Sequence, residues 1–119
     1  MARDHRDPAE RFEEYAQEAV DSLPSDLSEK MSNVEIVVEE EPPLGQPLLG
    51  LYQGVPLTRR SSQYGGALPD KITLYRGPLI RLYGHDADLL QREVRRVVLH
   101  EIAHHFGISD ERLIEIDRY

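Results

Sequence analysis

The chain has 119 residues, a length that predicts one domain over residues 1–119. Lysine and arginine number 14 against 22 aspartates and glutamates, and the formal net charge of −8 disfavours binding to nucleic acid or to an anionic membrane. Cysteine is absent, which excludes disulfides and thiolate chemistry. The N-terminus lacks the apolar segment of a signal peptide, and no run of about 18 apolar residues exists. The sequence therefore predicts an acidic cytoplasmic protein.

The N-terminal half predicts one helix and two strands. An apolar stripe at three- and four-residue spacing predicts a helix over residues 8–23. Alternating residues predict a first strand over 33–40, and a short second strand is expected over 48–56. Gly50 and Gly54 in that second strand indicate a bulge or a close approach by another backbone.

The C-terminal half predicts a loop, a strand and a long helix. Residues 59–70 are rich in Ser, Gly and Pro, so they predict a loop that is either a flap over a site or a surface excursion. Residues 71–78 predict a third strand. The helix is expected over 89–106, with Asp86 or Asp88 as its N-cap.

Histidines in the last two turns of this helix predict a metal site. His100 and His104 lie about 40° apart around the helix and one turn apart along it, so both imidazoles can reach one ion. Glu101 lies about 60° from His104, where it suits a general base better than a ligand. His105 points about 140° away from His100 and is expected to pack or to form a hydrogen bond. A helix with His-Glu-x-x-His is typical of zinc peptidases.

A catalytic zinc needs a third protein ligand beside an open position for water. Gly107 can end the helix in the left-handed conformation, and the reversed chain then brings Asp110 back to the metal. Glu111 and Glu115 are the alternatives. Two histidines and a carboxylate also suit non-haem iron, but the glutamate beside the first histidine favours zinc hydrolysis. The sequence predicts one Zn²⁺ per chain.

The stretch HEIAHHFGISD matches the pattern HExxHxxGxxD. Together with LLGLYQGVPLT and LPDKITLYRGP, it makes the chain resemble the small bacterial zincin-like metallopeptidases, often called minimal zincins. The resemblance implies an α+β fold, in which a small mixed sheet of three to four strands packs on an N-terminal helix and a long active-site helix. It also implies zinc ligation by His100, His104 and Asp110, with Glu101 as general base. Metzincins have histidine in place of Asp110 and a methionine below the metal; both methionines here stand far upstream, so a metzincin is excluded.

The leading hypothesis is a zinc-dependent peptidase that hydrolyses peptide or protein substrates through a metal-bound water. An extended substrate is expected to pair with a sheet edge at residues 72–76. Tyr75, Tyr119 and His105 are the candidate oxyanion donors. One alternative is a metal-dependent endoribonuclease, which the net charge opposes. Another is a non-catalytic zinc-binding regulatory or interaction module, which a closed site with four protein ligands would indicate.

Overall fold

The fold is known from a computed structural model, which describes residues 10–29, 31, 33–54, 70–107 and 111. In chain order the elements are α1 (Phe12–Asp21), α2 (Ser25–Ser28), β1 (Val34–Glu39), β2 (Gly50–Gln53), β3 (Asp70–Tyr75), α3 (Arg76–Tyr83) and α4 (Ala87–Phe106). Helices beside a small three-stranded mixed sheet make this an α+β fold. The predicted fold class is confirmed.

The strands lie in the order β1-β3-β2, so β3 is the central strand. It pairs in parallel with β1 and antiparallel with β2. The prediction that residues 72–76 form an exposed edge is therefore wrong, because β3 is hydrogen-bonded on both sides. Strand order depends on partners distant in sequence, which periodicity within one segment does not reveal.

Helix α4 covers one face of the sheet, where it contacts β2 and β3, and it packs against α1 and α3 as well. Alternation along β3 puts Ile72 and Leu74 on the face that carries the core, and both are fully buried. Phe12 and Tyr15 of α1 are buried in the same core. Burying one such apolar side chain stabilises the fold by about 1.5–3 kcal/mol. Helix α4 is thus held from several sides.

The boundaries of the N-terminal elements differ modestly from those predicted. α1 lies inside the predicted helix over 8–23, of which residues 8 and 9 fall outside the described residues. β1 and β2 are shorter than the strands predicted for 33–40 and 48–56. The single turn α2 follows Pro24 and was not predicted.

The third strand is shorter than predicted because a helix follows it directly. Residues 71–78 were expected to be extended, but Arg76 already begins α3. Pro78 lies in the first turn of α3, where its missing N–H group leaves no intrahelical hydrogen bond unmade. Asp70 was assigned to the preceding loop and is instead the first residue of β3.

Two ion pairs connect α3 to the acidic residues that follow β1. Arg76 pairs with Glu40 and Arg81 with Glu41, and the backbone N–H of Gly77 donates to the Glu40 carbonyl at 2.8 Å. The hydrogen bond from Arg81 holds the pKa of the Glu41 carboxyl below its usual range. Because these groups are exposed, each pair contributes little stability.

The predicted loop and the predicted single domain depend on residues outside the described part of the chain. Residues 55–69 contain nearly all of the loop predicted over 59–70, and they lie outside the described residues. The single domain predicted over 1–119 stays a prediction for the same reason. Among the helices that are described, none has both the length and the apolar character needed to cross a bilayer.

Candidate metal centre

Local chemistry fixes both ends of the helix that carries the motif. The Asp86 carboxylate accepts hydrogen bonds from the backbone N–H groups of Asp88 at 3.0 Å and Leu89 at 3.2 Å, which satisfies groups that the helix itself leaves unbonded. Gly107 ends the helix in the left-handed conformation, with φ 63° and ψ 38°. Both predicted ends are confirmed, although the helix begins two residues earlier than expected.

His100 and His104 lie one turn apart on the solvent side of α4, and both are exposed. Their ring centroids are 5.2 Å apart, with 64° between the ring planes. One donor atom from each histidine and one carboxylate oxygen of Glu101 lie within 4.8 Å of one another. The structure therefore brings together the three neighbouring residues that helix periodicity selected.

Glu101 is held between its own helix and the edge of the sheet. It is only 8% exposed, unlike the two histidines. Strand β2 passes it at Gly50, where a Cβ atom would lie 3.3 Å from Glu101 Cγ and 2.6 Å from Val97 Cγ1. Only glycine allows the strand to come this close. The close approach predicted at Gly50 is real, but its neighbours include side chains of α4 rather than backbone alone.

His105 points away from the solvent-exposed histidines into the protein. It is 1% exposed, and its Nδ1 lies 2.5 Å from Asp70 Oδ2. Because a carboxylate only accepts hydrogen bonds, His105 Nδ1 carries the hydrogen. Its buried Nε2 has no hydrogen-bond partner within the described residues. The structure places His105 where the prediction put it, as a hydrogen-bonded histidine of the interior.

Sequence reasoning missed the residues that surround His105. The same Asp70 oxygen accepts a hydrogen bond from the Tyr52 hydroxyl at 2.7 Å. We name Tyr52, Asp70 and His105 the Asp70 cluster. At Gly54 a Cβ atom would lie 2.5 Å from Asp70 Oδ1, so a larger residue there would collide with the carboxylate. Strand alternation places Tyr52 and Asp70 on the face toward α4, but only the register of β2 on β3 makes them neighbours.

The predicted third ligand, Asp110, lies outside the described residues, and so does Glu115. Glu111 is described and exposed, but it is not part of the group formed by the two histidines and Glu101. The choice of Asp110 stays a prediction.

The described residues fit a zinc ion. Zinc is bound by imidazole nitrogen at about 2.0–2.1 Å, and the last turns of α4 bring two imidazoles together with the Glu101 carboxylate beside them, where it can serve as a base for a metal-bound water. His100 and His104 are exposed, so their side chains have room for the small rotations that ligation requires, with the Tyr52 ring beside His104 on one side only. Their exposure also matches a catalytic zinc site, which keeps a position open to solvent.

The candidate oxyanion donors are separated by their surroundings. His105 faces Asp70 and is buried, which removes it from the candidates. Tyr75 is buried as well, and strand alternation puts it on the face of β3 opposite to Ile72 and Leu74, away from α4; this burial raises the pKa of its hydroxyl. Tyr119 lies outside the described residues.

A long helix that presents His-Glu-x-x-His, here packed against a small mixed sheet, is typical of the zincin class of metal-dependent hydrolases. The family model described as zincin-like metallopeptidase matches residues 31–119, which is most of the chain. The protein belongs to the zincin-like metallopeptidase family. The comparison with curated proteins returned no match.

Proposed function

We propose that this protein is a zinc-dependent peptidase. The observation that carries the proposal is the group of His100, Glu101 and His104, whose donor atoms lie within 4.8 Å of one another on a solvent-facing turn of α4. Membership in the zincin-like metallopeptidase family supports the same assignment. The proposed substrates are peptides or proteins.

In this proposal His100, His104 and Asp110 would hold one zinc ion. When bound, the zinc supplies a lowered pKa for a water molecule and polarises the carbonyl of the bond to be cleaved. The two exposed histidines leave a side of the site open to solvent, as entry of a substrate requires.

Glu101 would act as the general base and then as the general acid. Its carboxylate takes the proton from the attacking water and returns it to the leaving amine. Proton transfer requires a suitable donor–acceptor distance, and the close passage of β2 at Gly50 leaves the largely buried Glu101 side chain little room to move. Its low exposure also separates the carboxylate from competing solvent.

A substrate in extended conformation would pair with β2 rather than with residues 72–76. β2 has β3 on one side and, among the described residues, no strand on the other. Main-chain hydrogen bonds to such an edge give affinity that depends little on side chains. Because β2 passes Glu101 at Gly50, a peptide on this edge comes close to the metal site.

The charge of the protein and the exposure of its histidines bear on its expected partners and location. The net charge of −8 argues against nucleic acid and anionic membranes as partners, and we place the protein in the cytoplasm. Exposure of both histidines favours catalysis over the non-catalytic zinc module, because purely structural zinc sites are closed by four protein ligands.

A mixture of diverse peptides tests the proposal. Zinc-loaded wild type should cleave it, whereas Glu101→Gln should bind zinc normally and give no products, since the amide cannot take up the proton. Glu93→Gln is the matched control, the same substitution on a half-buried residue of α4 two turns earlier. It should cleave like wild type.

Mass spectrometry of the products decides between the proposed functions. Products from wild type and Glu93→Gln alone support the peptidase and report its side-chain preference. Equal products from Glu101→Gln reveal a contaminating protease. Zinc bound at one ion per chain with no products from any variant favours the binding module, and cleavage of RNA by wild type favours the endoribonuclease.

A further inference from the structure

The Asp70 cluster joins three elements beside the candidate metal centre, where the Tyr52 ring lies next to His104. Asp70 begins β3, Tyr52 belongs to β2 and His105 lies in the last turn of α4. Asp70 is completely buried, and its Oδ2 accepts the Tyr52 hydroxyl at 2.7 Å and His105 Nδ1–H at 2.5 Å. One carboxylate oxygen therefore links the central strand, the edge strand and the active-site helix.

We propose that Asp70 is a positioning residue for the metal site. It fixes the turn of α4 that carries His104 and holds this turn against β2. The proposal rests on the proposed function, because it assigns Asp70 a role toward the zinc that His100 and His104 would bind. Asp70 itself touches neither zinc nor substrate.

Adjacency along the helix connects the cluster to the ligand. His105 follows His104 directly, and their directions differ by about 100° around the helix axis. When His105 Nδ1 is hydrogen-bonded to Asp70, rotation of this turn about its axis is blocked. The direction in which His104 leaves the helix is then fixed as well.

The ring of Tyr52 provides a second connection. Its centroid lies 6.3 Å from that of His104 and 5.9 Å from that of His105, within the range of aromatic pairs. The Tyr52 hydroxyl donates to Asp70 at the start of β3, which holds the ring on the face of the sheet toward α4. It forms a wall beside the imidazole of His104 and limits the side-chain conformations of that ligand.

The price of burying a carboxylate argues that the cluster has a purpose beyond packing. Apolar residues of similar volume commonly fill such positions with equal or better stability, whereas directional hydrogen bonds to a buried carboxylate restrict the groups around it to one geometry. The chain also keeps space for this network, since a side chain at Gly54 would collide with Asp70. Both observations suit a cluster that holds a site in a defined shape.

Zinc affinity is the direct test, measured by competition with a chromophoric chelator. We expect Asp70→Asn to weaken zinc binding by up to about tenfold, the low end of the loss seen for partners that bond a ligand directly, because Asp70 acts on His104 only through His105 and Tyr52. Tyr52→Phe keeps the ring and removes only the hydroxyl, so its loss should be smaller, roughly threefold. In peptide cleavage both variants should lose kcat more than they raise KM.

Two control variants separate positioning from general destabilisation. Ser22→Ala deletes a hydroxyl that Arg95 contacts between α1 and α4, which matches the deletion in Tyr52→Phe but lies outside the Asp70 cluster. Leu79→Ala truncates a fully buried core residue of α3. Both should bind zinc like wild type while the apo protein remains folded, which circular dichroism verifies.

The outcomes distinguish this proposal from the proposed function. Failure of wild type to bind zinc overturns both. Zinc binding by wild type with unchanged affinity in Tyr52→Phe and Asp70→Asn overturns the positioning role alone, and so does an equal loss in Leu79→Ala. If Asp70→Asn does not fold, Tyr52→Phe decides the question against Ser22→Ala.

Discussion

Replacement of Gly50 by alanine tests how tightly β2 is fitted to helix α4. The added Cβ would lie 2.6 Å from Val97 Cγ1 and 3.3 Å from Glu101 Cγ. Carbon atoms in contact normally stand about 3.5–4.0 Å apart, so the overlap with Val97 is about 1 Å. Valine in a helix has one strongly preferred side-chain conformation. The strain must therefore move β2 away from α4 or displace Glu101.

The expected cost of Gly50→Ala follows from this overlap. Overpacking of a filled interior destabilises by about 1–3 kcal/mol, and urea unfolding followed by circular dichroism measures this loss. A displacement of about 1 Å at a catalytic group costs about a hundredfold in rate, so kcat for peptide cleavage should fall far more than the unfolding data alone suggest. Gly45→Ala is the control: Gly45 is exposed with φ 81° and has no atom within 4 Å of an added Cβ. Gly45→Ala should lose about 1–2 kcal/mol of unfolding free energy, because alanine is strained at this positive φ, and it should keep full activity.

A second substitution shows whether Val97 is the cause. Val97→Ala removes the atom nearest to the new Cβ. The free energy of unfolding of the double variant Gly50→Ala/Val97→Ala should therefore exceed the value expected from adding the two single losses, by roughly 1 kcal/mol or more. Wild-type stability and turnover in Gly50→Ala would refute the reasoning, and so would additive losses in the double variant.

Three further predictions concern neighbouring features. Gly54→Ala should destabilise the protein by about 1–3 kcal/mol, because the added Cβ would lie 2.5 Å from Asp70 Oδ1. Wild-type stability of this variant in urea unfolding would contradict the predicted collision. Asp86→Ala should lose about 1 kcal/mol of unfolding free energy with zinc affinity unchanged, since it removes the N-cap at the far end of α4; a loss of zinc affinity would contradict this separation. Arg81 lowers the pKa of Glu41 in the folded protein, so the contribution of this pair to stability is present at neutral pH and is lost as the pH falls through the lowered pKa. In an NMR titration, Arg81→Gln should raise the pKa of Glu41 toward its ordinary value, and an unchanged titration would contradict the pairing.

The parts of the molecule that the sequence predicted well are governed by neighbours along the chain. Helix α4 follows from its N-cap at Asp86 and its left-handed end at Gly107. The convergence of His100 and His104 follows from helix periodicity alone. Each of these features is decided within a few residues, which is the range that a sequence pattern describes.

The parts that the sequence did not predict depend on contacts between distant segments. The central place of β3 requires pairing with both β1 and β2. The Asp70 cluster joins residues 18 and 35 positions apart in sequence, and Asp70 stood at the end of a segment that predicted a loop. Strand register decides which distant residues come into contact, and the pattern of a single segment carries no information about register. Helix α3 was not predicted either, because a proline such as Pro78 occurs in turns as well as in the first turn of a helix.

The claim that α4 carries a zinc site is tested most directly by equilibrium dialysis with zinc, followed by elemental analysis of the protein. Wild type should retain one zinc per chain, and His100→Ala and His104→Ala should each lose it, because two ligands no longer suffice for tight binding. His85→Ala, which removes an exposed histidine between α3 and α4, should retain zinc like wild type. Zinc retained at the wild-type level by either His100→Ala or His104→Ala would contradict the account.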